Sequence, residues 1–265
     1  MSPLEASSLN VLNNVLNLHR DKDYLADFLY RYWFAPPVAL WRSIEARALS
    51  TLDYPAPMLD FGCGDGLYTE AIFGKQARIF GNDIAKGELP SARDSGVYAN
   101  GVQFADGHAL PYATSAFGSV YSNSVVEHIP DPHHVLPELS RVLRPGGKLG
   151  VVDQLTAHTP DGVELLERLE KRRDPSHVRA LTVEEWHDAL TTAGFTIHQV
   201  EVDVEQRTLR SYFDIAGTPQ ADRDAIAAML RAAGPEALAS FGYDPLPAPE
   251  GSFLKERIVV LASRA

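Results

Sequence analysis

Gly62, Gly64 and Gly66 stand at alternate positions directly after the apolar run Met58–Phe61. Glycine lets a backbone turn sharply and leaves no side chain between it and a ligand. A helical stretch, Leu67–Gly74, follows, and the start of a helix offers backbone N–H groups without partners of their own. A strand, a glycine loop and a helix in this order suit a ligand gripped by main chain, although a plain tight turn can also use such glycines. The dinucleotide fingerprint puts its third glycine three residues after the second. Here Leu67 holds that place, so the spacing departs from it. Asp83, in Gly81-Asn82-Asp83, closes the next apolar run about 20 residues on, where an acid can accept from both hydroxyls of a ribose. Capping the next helix is the other use of an acid there. Asp106, in Ala105-Asp106-Gly107-His108, closes a third run. It is placed to accept from an adenine amino group, or to make a turn.

Histidine is the usual side chain for moving a proton near neutral pH. His128, in Glu127-His128-Ile129-Pro130-Asp131, lies shortly after Asn123 and is the candidate catalytic base. Shaping the loop ahead of the helix at Pro132 is its alternative role. Glu127 and His128 supply two ligands, too few for a metal centre, and no metal is expected. His133 and His134 begin a helix, where cations are disfavoured, and read as surface residues. A nucleophilic cysteine needs a lowered pKa and a base beside it. Nothing in the sequence sets a base beside Cys63, which reads as a small residue of the loop.

These residues need strands to end at the loops that carry them. Apolar runs at Met58–Phe61, Ala77–Asn82, Val102–Ala105, Ser119–Ser122, Lys148–Asp153, Phe195–Val202 and Arg257–Ala262 alternate with helical stretches such as His133–Leu143 and Val183–Ala193. That alternation predicts a mostly parallel α/β sheet covered on both faces. Thr182 and Glu185 form a capping box, and Gly194 suits a helix end. Two segments exceed a minimal alternating domain. One is Gln154–Leu181, with a helix at Glu164–Arg173 whose charge run reads as a solvated face. The other is Asp203–Ser252, with a helix at Asp222–Ala233. The first fifty residues read as helices, with a dense aromatic series from Tyr24 to Trp41. That series suits core packing, or an apolar lid with Tyr212 and Phe213 opposite.

The chain has 265 residues, 24 Lys+Arg against 35 Asp+Glu, and a formal net charge of −11. The acid excess argues against a general nucleic-acid binder. One cysteine excludes an internal disulfide and a cysteine-built zinc site. The start lacks a signal-peptide pattern, and no run approaches the roughly 20 apolar residues of a membrane span, so a cytoplasmic protein without stable membrane insertion is expected.

Taken together, Leu59–Gly66, Asp83, Asp106–Tyr112, Ser122–Asp131 and Leu143–Leu149 resemble the class I S-adenosylmethionine-dependent methyltransferases, in particular the type-11 family. The resemblance covers about residues 57–153 well and 182–201 more loosely. It implies a Rossmann-like, seven-stranded, mostly parallel sheet with helices on both faces and a final antiparallel strand. It implies S-adenosylmethionine as cofactor and S-adenosylhomocysteine as product. Asp60, Gly62, Cys63, Gly64 and Gly66 would form the loop under the methionine part. Asp83 would hold the ribose, and Ile84 would pack on the adenine. Asp106 would bind the adenine amino group and the Gly107 N–H a ring nitrogen, with His108 flanking. Asn123 would lie near the methyl group. The expected domains are a helical lid over 1–54, a core over 55–202, a helical insertion over 203–252 capping the acceptor pocket, and a last core strand over 253–265. The acceptor would be small or lipid-like and partly apolar, with oxygen favoured. A cofactor-binding protein of the same fold without transfer activity is the alternative, and a nicotinamide oxidoreductase is opposed by the glycine spacing.

Overall fold

The computed structural model describes residues 45–74, 78–84, 89–98, 101–104, 107–246 and 251–265. The expected aromatic series and most of the N-terminal helices fall on 1–44, outside the described residues, as does Asp106. Among the described residues the sheet has seven strands: β1 (Met58–Phe61), β2 (Ile79–Asp83), β3 (Val102–Phe104), β4 (Phe117–Asn123), β5 (Leu143–Gln154), β6 (Phe195–Thr208) and β7 (Ser252–Arg264). Their order is β3-β2-β1-β4-β5-β7-β6. All neighbours from β3 to β5 are parallel, and β7 runs antiparallel to both β5 and β6.

The strands alternate their side chains between two cores. Leu59, Phe61, Val120, Leu149 and Val151 face a cluster with Leu136, Leu139 and Trp186. Met58, Tyr121 and Val152 face the other side with Leu49, Ile79 and Val97. This period of two with both faces buried is why β1 and β4 read as continuous apolar runs. The helices between strands are α1 (Leu67–Phe73), α2 (Leu89–Asp94), α3 (Pro132–Val142), α4 (Pro160–Arg173) and α5 (Val183–Thr192). Thr182 and Glu185 form the expected capping box of α5. Strand order reverses between β1 and β4, and at such a switch point loops diverge to leave a crevice at the carboxyl ends of the strands.

The late part of the chain departs from expectation. β6 continues past Val202 to Thr208, and β7 starts at Ser252 rather than Arg257, paired throughout with β6. The extension hides in sequence because Glu205 and Arg207 occupy buried strand positions, joined by an ion pair of 2.7 Å. The extended ribbon carries α6 (Leu209–Ala216), α7 (Gln220–Ala232) and α8 (Pro235–Ala239). These form a third core with α4 through Leu166, Leu169, Tyr212, Phe213, Ile226 and Phe253. Tyr212 and Phe213 are therefore core residues, each 1% exposed, rather than the far side of an apolar lid. The charge run of α4 is not a uniformly solvated face either. Glu170 is fully buried and accepts from Arg173 Nε at 2.8 Å, from Tyr212 Oη at 2.5 Å and from Gln154 Nε2 at 3.0 Å.

Candidate active site

The glycine loop leaves β1 by a turn that the neighbouring strand holds. The Gly62 and Cys63 N–H groups both donate to the Asn82 carbonyl at 3.0 Å. Gly62 sits at φ 73°, and a Cβ there would come within 2.2 Å of a Val125 methyl. Only glycine meets both conditions. A Cβ at Gly64 would meet nothing within 4 Å, so that part of the loop borders open space. Gly66 caps the start of α1. Asp60 lies behind the loop, 2% exposed, and accepts from the Thr69 and Tyr98 hydroxyls. Burial pushes its carboxyl up to about 6, against the two hydroxyl donors. Asp60 thus braces α1 and Tyr98 against the loop from the rear. The Cys63 thiol is packed against Gly81, and burial pushes its pKa up, the opposite of what a nucleophile needs.

Asp83 ends β2 beside the loop. Its Oδ2 accepts from the Gly64 N–H at 2.8 Å. Next to it Ile84 is 63% exposed, a large apolar side chain presented outward. Gly107 allows a close approach, because a Cβ there would press on the Phe61 ring at 2.7 Å. These residues border a cavity of about 540 Å³, whose lining from the β1 and β2 loops and from Gly107-His108 is Phe61, Gly62, Asp83, Ile84, Gly107 and His108. The segments after β4 and α4 add Ser124, Val125, His128, Ile129, Asp174 and Ser176 to the lining.

This second part of the lining is built on the segment after β4, where a 3-10 turn spans Val126–His128. Asp153, at the end of β5, holds that segment by accepting from the Val125 and Val126 N–H groups at 3.2 and 2.9 Å. Burial, and then the charge of Glu127, push the Asp153 carboxyl up to about 6. The Glu127 carbonyl accepts from the Val178 and Arg179 N–H groups, tying the turn to the segment after α4. The Glu127 carboxylate lies 3.5 Å from His128 Nε2. Burial alone would raise its pKa, but His128, Lys255 and Arg257 hold it down at about 2. For His128 burial acts downward and is outweighed by Glu127, Ser176 and Asp174, which bring the imidazole up to about 9. Arg257, reaching across from β7, donates to Asn123 Oδ1 at 3.1 Å and Ser124 Oγ at 3.0 Å, and pairs with Glu45 at 3.2 Å.

Of the residues singled out from sequence, Gly62, Asp83, Ile84, Gly107, His108 and His128 border the cavity. Asp60 and Cys63 are buried behind the loop, and Asn123 stands behind Ser124, whose Oγ donates to Asn123 Oδ1 at 3.0 Å. His133 and His134 are exposed. Asp153, Asp174, Ser176 and Arg257 were not foreseen. Asp153 had a readable signal, an acid closing a strand as Asp83 does. The other three meet the site only through contacts distant in sequence. Among the described residues no three His, Cys, Asp or Glu side chains gather as a metal ion requires. No helix among them is long and apolar enough to cross a membrane.

Residues 59–151 match the family described as a methyltransferase domain. The chain is 29% identical to the 27-O-demethylrifamycin SV methyltransferase of Amycolatopsis mediterranei over 58% of this chain, and spans only 59% of that protein's length. It is 30% identical to the malonyl-[acyl-carrier protein] O-methyltransferase of a Methylovorus species, over 74% of this chain and 69% of that one. In fold it is similar to the crystal structure of YcgJ from Bacillus subtilis, with a TM-score of 0.75 and 23% identity over 83% of this chain and 98% of that one. The matched stretch carries the glycine loop, Asp83 and the turn at His128, and similarity of this extent has one meaning: the chain belongs to the class I S-adenosylmethionine-dependent methyltransferases, whose cofactor is S-adenosylmethionine.

Proposed function

We propose that this chain moves a methyl group from S-adenosylmethionine to an oxygen of a small, partly apolar acceptor, leaving S-adenosylhomocysteine. The observation that carries this reading is one cavity bordered by two unlike groups of residues: the glycine loop with Asp83 and Ile84, and His128 with Ser124 and Ser176. The first group fits the cofactor. Gly64 borders open space that a side chain would fill, Asp83 stands beside it to accept from ribose hydroxyls, and Ile84 offers an apolar face for the adenine. The Gly107 N–H would meet a ring nitrogen, with His108 flanking and Asp106 on the amino group. Gly62, Gly64 and Gly66 would cradle the methionine part, braced by Asp60 and Cys63, with Asn123 near the methyl group. When bound, S-adenosylmethionine supplies a methyl group already activated by its sulfonium.

The chain's own task is then to hold the acceptor in line, exclude water and take one proton. His128 is the base for a hydroxyl acceptor. Oxygen is favoured because a base there has work to do only when the acceptor must lose a proton to react. The Methylovorus relative, named an O-methyltransferase, and the Amycolatopsis one, named for a 27-O-demethyl compound, support the same choice. The wall of Ile129, Pro130 and Val125 supports a partly apolar acceptor, including a lipid-like one. The lid expected over residues 1–54 falls mostly outside the described residues, and its described end packs in the core through Ala48 and Leu49. The insertion at 203–252 would cap the acceptor pocket indirectly, through its packing on α4, whose following residues Asp174 and Ser176 face the cavity.

Calorimetric titration with S-adenosylmethionine and S-adenosylhomocysteine, then an acceptor screen with methyl-labelled donor, tests the proposal. Micromolar binding of both with label transfer to a hydroxyl compound is expected. Absence of binding would overturn it, and binding with no transfer to any acceptor class would favour a cofactor-binding protein.

A further inference from the structure

We propose that Ser176 and Asp174 are positioning residues that decide which nitrogen of His128 takes the proton; this rests on His128 being the base. Both lie in the segment following α4, far in sequence from the turn that carries His128, and both face the cavity. Asp174 Oδ1 accepts from the Ser176 N–H at 3.0 Å and from the Ser176 hydroxyl at 2.6 Å. Ser176 Oγ lies 3.0 Å from His128 Nδ1.

Proton counting settles the direction of this chain. A serine hydroxyl has one proton to donate. An ionised carboxylate has none, so the short Ser176–Asp174 contact uses the serine proton. Ser176 Oγ can then only accept from Nδ1, and Nδ1 must carry hydrogen. In the neutral imidazole the lone pair therefore sits on Nε2. That nitrogen lies 3.5 Å from Glu127 Oε1. The step balances simply. The acceptor's O–H bond breaks, its electron pair stays on oxygen, and the proton passes to Nε2. The resulting imidazolium has both N–H groups answered, one by Ser176 and one by the Glu127 carboxylate.

The charged and titratable groups around the ring agree with this. Glu127 faces it from the 3-10 turn and Asp174 from the segment after α4. His177 stands edge-on at 6.2 Å between ring centroids, its own Nε2 occupied by Glu167 at 2.9 Å. Without Ser176, an N–H on Nε2 pointing at Glu127 becomes the favoured neutral tautomer, and the lone pair turns to the wrong atom.

The test is nitrogen NMR of the His128 ring in the whole protein, with and without S-adenosylhomocysteine, across pH 6–11, alongside rate measurements. In the wild type the neutral form should carry its proton on Nδ1. In Ser176→Ala the proton should move to Nε2, the ring's pKa should fall by about a pH unit, and kcat should drop at least tenfold with S-adenosylhomocysteine affinity unchanged. Asp174→Asn should act in the same direction, and Ser176→Thr should restore both readouts. An unchanged tautomer and pKa in Ser176→Ala and Asp174→Asn would overturn the proposal. Full activity in His128→Asn, with the tautomer change still seen in Ser176→Ala, would instead overturn the reading of His128 as base and leave the relay standing.

Discussion

The Gly64 N–H donates to Asp83 Oδ2 at 2.8 Å, so the glycine loop after β1 and the acid closing β2 form one unit. A backbone donor on a carboxylate is charge-assisted and contributes about 1.5–3 kcal/mol. Asp83 thus holds the loop as well as facing the cavity. Asp83→Ala is expected to weaken S-adenosylhomocysteine binding at least tenfold, read by calorimetry. Asp83→Asn keeps an oxygen for Gly64 and should lose less. Equal affinity in the wild type and Asp83→Ala would remove Asp83 from the ribose.

Gly62 is constrained twice, by φ 73° and by a Val125 methyl 2.2 Å from where a Cβ would stand. Gly62→Ala should lower stability by about 1–3 kcal/mol and reduce cofactor affinity with it. Adding Val125→Ala removes the two methyl clashes, keeps a tight Val125 Cβ contact of 3.1 Å and leaves the backbone strain. Urea denaturation of the double variant should therefore show partial recovery relative to Gly62→Ala. Full recovery would assign the whole effect to the side-chain clash.

The Glu127–His128 pair has a signed dependence on pH. The His128 pKa is raised to about 9, so its contribution to stability is full below the ordinary histidine value and is lost as pH rises through 9. The Glu127 pKa is lowered to about 2, so its contribution is present above the ordinary value of 4.5 and is lost as pH falls toward 2. The pair stabilises most between those ordinary values. With His128 as the proposed base, activity runs the other way, because a base must be unprotonated. The rate should rise about tenfold per pH unit from 7 toward 9 and then level off. His128→Asn should abolish that limb in a pH–rate profile.

Glu170 joins the insertion to the core, and its removal leaves cations buried. Arg173 Nε lies 2.8 Å from Glu170, and Lys255 Nζ reaches Tyr212 Oη and Gln154 Oε1 at 2.7 Å. Burial already pulls the Lys255 pKa down to about 7, with Glu170 and Glu127 opposing it. Glu170→Ala should cost about 3–5 kcal/mol, the usual penalty for orphaning a buried charge. Hydrogen exchange should show the loss first in α6 to α8. Protection there equal to the wild type would mean that apolar packing alone holds the insertion.

Local chemistry was written openly in the chain. The apolar run into Gly62, the acid at Asp83 and the Thr182–Glu185 cap each depend on residues close in sequence, and each appears where its pattern put it. Apolar period and glycine spacing also announced the alternating sheet. Those signals are short-ranged because strand pleat, helix capping and tight turns are short-ranged. Tertiary packing decided the rest. The charges on β6 masked its continuation to Thr208, since a buried ion pair in a strand reads like a loop until its partner is known. Tyr212 looked like a pocket wall and became core because α4 brought Glu170 to its hydroxyl. Ser176 reaches His128 across 48 residues, and Arg257 reaches Asn123 across 134. Which nitrogen of His128 bears the proton follows from such contacts, and they exist only once the segment after α4 has docked against the turn that ends β4.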